Sequence, residues 1–111
     1  MSNRPVGLLL DDMSEAIERI TRYSAGMSFD AFAQDEKTVD AVVRNLEIIG
    51  EAANRLPDEF KETYSDVEWY KIVGLRNRIV HEYFGIDLAI VWQILHRELI
   101  LLRASIQRIH P

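Results

Sequence analysis

Cysteine is absent from this 111-residue sequence, which excludes disulfide bonds, thiolate nucleophiles and cysteine-ligated zinc. No run of 18 or more apolar residues occurs, so no membrane span is expected. Positive charge is scarce: 13 Lys and Arg stand against 18 Asp and Glu, a net charge of −5. That balance argues against broad binding of nucleic acid through charge alone. Any nucleic-acid site has to be a local basic pocket on an acidic body. Arg76 and Arg78 are candidates for it, and Arg44 and Arg55 add to it if they lie nearby. Proline and glycine are few, at 3 and 5 residues, and Gly26, Pro57 and Gly85 fall where helices are expected to stop. Internal repeats and low-complexity tracts are also missing. The opening apolar stretch, Val6 to Leu10, is short, lacks a small-residue cleavage site and runs into Asp11 and Asp12. It reads as helix rather than signal peptide, and a cytoplasmic location is expected.

What is present suits one domain over residues 1–111, with 48% apolar residues and a modest core. Five helical segments are expected. The first runs from about Pro5 to Ser24, with Leu9, Met13, Ala16, Ile17 and Ile20 on one face. The second runs from about Asp35 to Leu56, with a stripe of Val39, Val42, Val43, Leu46, Ile49, Gly50 and Ala53. Gly50 lies inside that stripe, where the missing side chain lets another helix come close. Asp40, Arg44, Glu47, Glu51 and Asn54 share a different face. A short third helix follows Pro57 as far as Tyr64. Ser65 and Asp66 look like a cap for the fourth helix, which should end near Gly85. Asp87 looks like the N-cap of a fifth helix reaching about Ile109. That helix carries a main stripe through Leu88, Val91, Trp92, Leu95, Leu99, Leu102 and Ile106. A second strip, Ile90, Ile94 and Leu101, suggests a further contact, either with a partner chain or with the third helix. No stretch alternates with a period of two, so no strand is expected, and the fold class is all-α: an antiparallel bundle of four to five helices.

The fourth helix contains an anomaly. With Trp69 at the origin and about 100° per residue, Val73, Val80, Ile72 and Ile79 gather within about 80° of it. Arg76 falls in the middle of that stripe, and Tyr83 about 20° from Arg76. A guanidinium stays charged and is costly to bury alone. Either the apolar face is not all core, or Arg76 has an anionic partner there. His81 lies about 140° from Arg76 on the same ideal helix, so one chain does not focus both groups on one atom. Two chains related by a two-fold axis beside this helix would do so, and Gly74 would ease their approach.

Such a groove suits phosphodiester cleavage. Histidine titrates near neutral pH and moves protons, while arginine offers a fork of donors to phosphate oxygens. RNA can supply its own 2′-hydroxyl as nucleophile, so neither a metal nor a cofactor is required. The spacing alone is a weak signal, and blander roles exist. Arg76 can be a partner for Glu47 or Glu51, and those two glutamates can bind a metal or simply form a solvated, salt-bridged face. His96 and His110 have no neighbours at metal-ligand spacing.

The run Arg76-Asn77-Arg78-Ile79-Val80-His81-Glu82-Tyr83 resembles the R-x-x-x-x-H-x-Y motif of the HEPN ribonucleases, and its tyrosine points to the HepT toxins among them. Ile48 to Ala53, Glu68 to Leu75 and Asp87 to Trp92 look like the same family, so the resemblance covers nearly the whole chain. It implies an all-α HEPN bundle acting as a homodimer, with both motifs in one cleft. It implies metal-independent endoribonuclease activity with Arg76 and His81 catalytic and Asn77 supporting the histidine. It also implies a partner, an MntA-type nucleotidyltransferase antitoxin that transfers AMP to Tyr83. AMP there would add bulk and negative charge beside Arg76 and compete with RNA phosphate. The alternative is a non-catalytic helical module that binds a nucleotide or the nucleotidyltransferase, with Arg76 as a phosphate clamp.

Overall fold

Helix α1, Val6–Ser24, starts after Pro5 and buries Leu9, Leu10, Met13, Ala16, Ile17 and Ile20 at three- and four-residue spacing. The computed structural model describes residues 4–81 and 85–111. At the far end of α1 the Thr21 and Ser24 hydroxyls donate to the carbonyls of Ile17 and Ile20. Gly26 then reverses the chain at φ 74°, a conformation that side chains resist. Ser28 caps α2, Phe29–Gln34, by accepting from the Ala31 amide. This short helix was not expected, because six residues carry too little periodicity to register. Its Phe32 is fully buried and lies 5.2 Å from the Trp92 ring.

Asp35 caps α3, Glu36–Arg55, through the Thr38 amide. α3 packs along α1, and its buried residues Val42, Leu46, Ile49 and Ala53 join one core cluster with those of α1 and the C-terminal helix. Burial of each large aliphatic side chain contributes about 1.5–3 kcal/mol. α4, Asp58–Thr63, follows Pro57 as expected. Asp66, however, does not cap the next helix: that helix begins after Glu68 without a side-chain cap, and Asp66 pairs with Arg108 at 2.8 Å.

The expected fourth helix is divided. α5, Trp69–Val73, and α6, Leu75–Ile79, meet at Gly74. A Cβ on Gly74 would lie 3.2 Å from the Tyr70 carbonyl oxygen, so the junction favours glycine. α6 stops at Ile79, six residues short of Gly85. Val80 is extended, and β1, Val80–His81, pairs antiparallel with β2, Gly85–Ile86. The Asp87 amide donates to the Ile79 carbonyl at 2.6 Å and extends the ribbon. Consecutive β-branched residues at 79 and 80 weaken the helix there, and Gly85, the first residue of β2, holds φ 76°. Strands of two residues are too short to leave an alternating pattern, which is why none was expected.

Asp87 caps the last helix by accepting from the Ile90 amide, as anticipated. That helix is α7, Leu88–Gln93, a π-helical turn, Ile94–Glu98, and α8, Leu99–Ile109, in continuous succession. The wider turn shifts the phase between its two halves. A wheel drawn straight through it therefore misplaces the second apolar strip: Ile94 is core at 1% exposure, Ile90 is half-buried, and Leu101 is 69% exposed. No helix among the described residues is long and apolar enough to cross a membrane.

Candidate active site

Gly50 sets the geometry of the site. A Cβ there would lie 3.2 Å from the Ile72 carbonyl oxygen and 3.5 Å from that of Val73, so α3 and α5 approach backbone to backbone. The close approach anticipated for Gly50 is thus with α5. Beside it opens a cleft of about 290 Å³ lined by Leu46, Glu47, Gly50, Glu51, Asn54, Val73 and Arg76. The α3 contributors at 47, 50, 51 and 54 stack on one face at helical spacing.

Arg76 reaches this cleft from α6. Its side chain is 72% exposed, and its Nε lies 4.0 Å from Glu47 Oε2. Both resolutions of the sequence anomaly therefore hold: the face at Arg76 is not core, and an anion stands beside it. At that distance and exposure the pair is an attraction without a hydrogen bond and contributes little to stability. The guanidinium donors remain accessible to an anionic ligand. Asn77, next in sequence, is exposed.

Arg78 does not join this basic site. It donates to both carboxylate oxygens of Glu98 in the π-helical turn, at 2.7 and 2.6 Å. Those hydrogen bonds hold the Glu98 carboxyl below the usual range, against a smaller opposing effect of burial. They raise the Arg78 pKa in the same way. Arg44 and Arg55 are also absent from the cleft lining, so Arg76 is its one cation among the described residues.

His81 lies two residues beyond the end of α6, in β1, where its backbone pairs with Gly85. The helical separation of about 140° between Arg76 and His81 does not apply, because the chain between them leaves the helix at Val80. The side chain of His81 and the whole of Tyr83 lie outside the described residues, and the expected placement of Tyr83 on the arginine's face lies outside them too. The other histidines have local partners. His96 Nδ1 is 2.9 Å from the Trp92 carbonyl oxygen, and its ring lies tilted against that of Trp92, with centroids 4.1 Å apart. His110 Nε2 is 3.1 Å from Asp11. Among the described residues no group of three or more histidines and carboxylates is placed to hold a metal.

Helical spacing puts Glu47, Glu51 and Asn54 on one face, but only the packing of α5 and α6 against α3 makes that face a cleft wall. The Arg78–Glu98 pair left no signal, since its members are 20 residues apart.

Comparison with known proteins agrees over the same span. Residues 13–109 match the family described as Ribonuclease HepT-like. A relative named "Probable ribonuclease HepT", from Thermococcus cleftensis, is 34% identical over 90% of this chain and 91% of its own. Another, named "Putative RNase TTE0752", from Caldanaerobacter subterraneus subsp. tengcongensis, is 40% identical over 91% of this chain and 87% of its own. No solved structure gives a significant match. An all-α bundle, an arginine-bearing cleft and a match over nearly all its length place this chain in the Ribonuclease HepT-like family.

Proposed function

We propose that this chain is a metal-independent endoribonuclease toxin that works as a homodimer, one domain over residues 1–111 in each subunit, in the cytoplasm. The observation that carries this is an accessible Arg76 at the mouth of a cleft, five positions before His81, in a chain of the HepT-like ribonuclease family. Arg76 binds the scissile phosphate and stabilises the charge that grows on it in the transition state. His81 takes the proton of the attacking 2′-hydroxyl, and the imidazole of the second subunit delivers a proton to the leaving 5′-oxygen. The products are a 2′,3′-cyclic phosphate and a free 5′-hydroxyl. Because one chain carries one motif histidine, base and acid at one phosphate call for two subunits. Asn77 supports the orientation of His81.

The proposed antitoxin is an MntA-type nucleotidyltransferase that transfers AMP from ATP to the Tyr83 hydroxyl, releasing pyrophosphate. The added phosphate competes with RNA for Arg76. The direct test is cleavage of single-stranded RNA in the presence of chelator by the wild-type chain and by His81→Ala. Activity is expected only in the former. A protein that binds nucleotide but cleaves no RNA would favour a non-catalytic binding module.

A further inference from the structure

The cleft beside Arg76 holds more than a phosphate clamp requires. Its apolar floor is Leu46, Gly50 and Val73, and its α3 wall carries two carboxylates and one amide, Glu47, Glu51 and Asn54. At about 290 Å³ it lies at the lower end of small-molecule pockets, the size for one ring system. Carboxylates accept hydrogen bonds and repel a base edge made of carbonyl oxygens. The RNA bases differ in just this respect. Guanine presents two adjacent donors, N1–H and N2–H, which match the two oxygens of one carboxylate. Adenine and cytosine each offer one exocyclic amine, and uracil places its one N–H between two carbonyls.

We propose that this cleft is a base-recognition subsite that selects guanine in the nucleotide next to the phosphate bound by Arg76; the inference rests on the ribonuclease reading above. Glu51 accepts from guanine N1–H and N2–H, and Asn54, three residues along the same helical face, donates to O6. Val73, half-buried, receives the face of the ring, with Gly50 and the buried Leu46 behind it. Single-stranded RNA is suited to this, because its unstacked bases expose their Watson–Crick edges. Glu47 occupies the step between base and phosphate, 4.0 Å from Arg76, and yields the guanidinium to the phosphate when RNA enters. The separation of duties fits the charge pattern: one cation for the backbone, two anions for a donor-rich base.

The test uses the full-length protein and four single-stranded uridine-tract RNAs that differ at one position, which holds guanosine, adenosine, cytidine or uridine. Cleavage is expected beside guanosine, with uridine the poorest. Glu51→Gln and Asn54→Ala, both at exposed positions, are expected to lower the guanosine-to-uridine ratio of kcat/KM roughly tenfold. The same rank order is expected for binding of 2′-deoxy versions, which cannot be cleaved through the 2′-hydroxyl. Cleavage that is indifferent to the base, or a guanosine preference unchanged in both variants, would overturn the subsite and leave the ribonuclease reading standing. Neither cleavage nor binding of any of these RNAs would overturn both.

Discussion

Arg78 grips Glu98 with two parallel hydrogen bonds, 2.7 and 2.6 Å long, and so ties α6 to the π-helical turn of the last helix. Arg76, two residues earlier on α6, is left facing the cleft. Neighbouring arginines of one motif thus have different work: Arg78 fixes the helix, and Arg76 is free to meet a ligand.

This pair gives the protein an acid-sensitive component. The folded-state pKa of Glu98 is depressed, so its contribution is fully present above the ordinary glutamate value of about 4.3 and is lost as pH falls through the lower folded value. Both side chains are about one-third exposed, which limits the effect through solvent screening. Glu98→Gln is expected to cost about 1 kcal/mol near neutral pH and to reduce the slope of stability against pH below about 4. Urea denaturation at a series of pH values measures both; an unchanged acid limb in the variant would refute the assignment.

At the site, Arg76→Ala is expected to lower kcat/KM for RNA by roughly 100- to 1000-fold, and Arg76→Lys to recover only part of that, since an ammonium lacks the planar fork. Helix content should stay at wild-type level in both, because the side chain is 72% exposed. Circular dichroism and initial rates in chelator decide this. Full rescue by lysine would mean that charge alone suffices.

The proposed modification predicts a mass. The chain produced together with its nucleotidyltransferase is expected to carry added AMP, and Tyr83→Phe to carry none. Intact-mass spectrometry reads this directly; an unmodified chain that is still neutralised would point to inhibition by binding.

Gly50→Val is expected to destabilise the fold by about 1–3 kcal/mol and to widen the cleft. Backbone carbonyls 3.2 and 3.5 Å from a Cβ cannot rotate away as a side chain does. Thermal denaturation tests the stability, and RNA titration tests the cleft.

Phe32→Ala is expected to cost about 3–5 kcal/mol, since this ring is fully buried and packed against Trp92. A loss below about 1 kcal/mol would show that α2 contributes little to the core.

Local rules determined a great deal here. Three- and four-residue spacing of apolar side chains placed α1 and α3 almost to the residue, because each buries a single continuous face. Asp87 announced the last helix through its capping chemistry, and Gly50 was recognisable as a close approach. Arg76 drew notice as a charge out of pattern, and that was enough to locate the cleft's cation. Tertiary structure decided what depends on register or distance. The break at Gly74 and the exit from helix at Val80 arise where backbone geometry overrides a run of helical spacing. The π-helical turn rotates the last helix midway, so Ile94 goes to the core and Leu101 to the surface. The Arg78–Glu98 pair and the meeting of Arg76 with Glu47 join groups 20 and 29 positions apart. A side chain's type is written in the sequence, but its partner across such a gap is set only when packing brings two helices together.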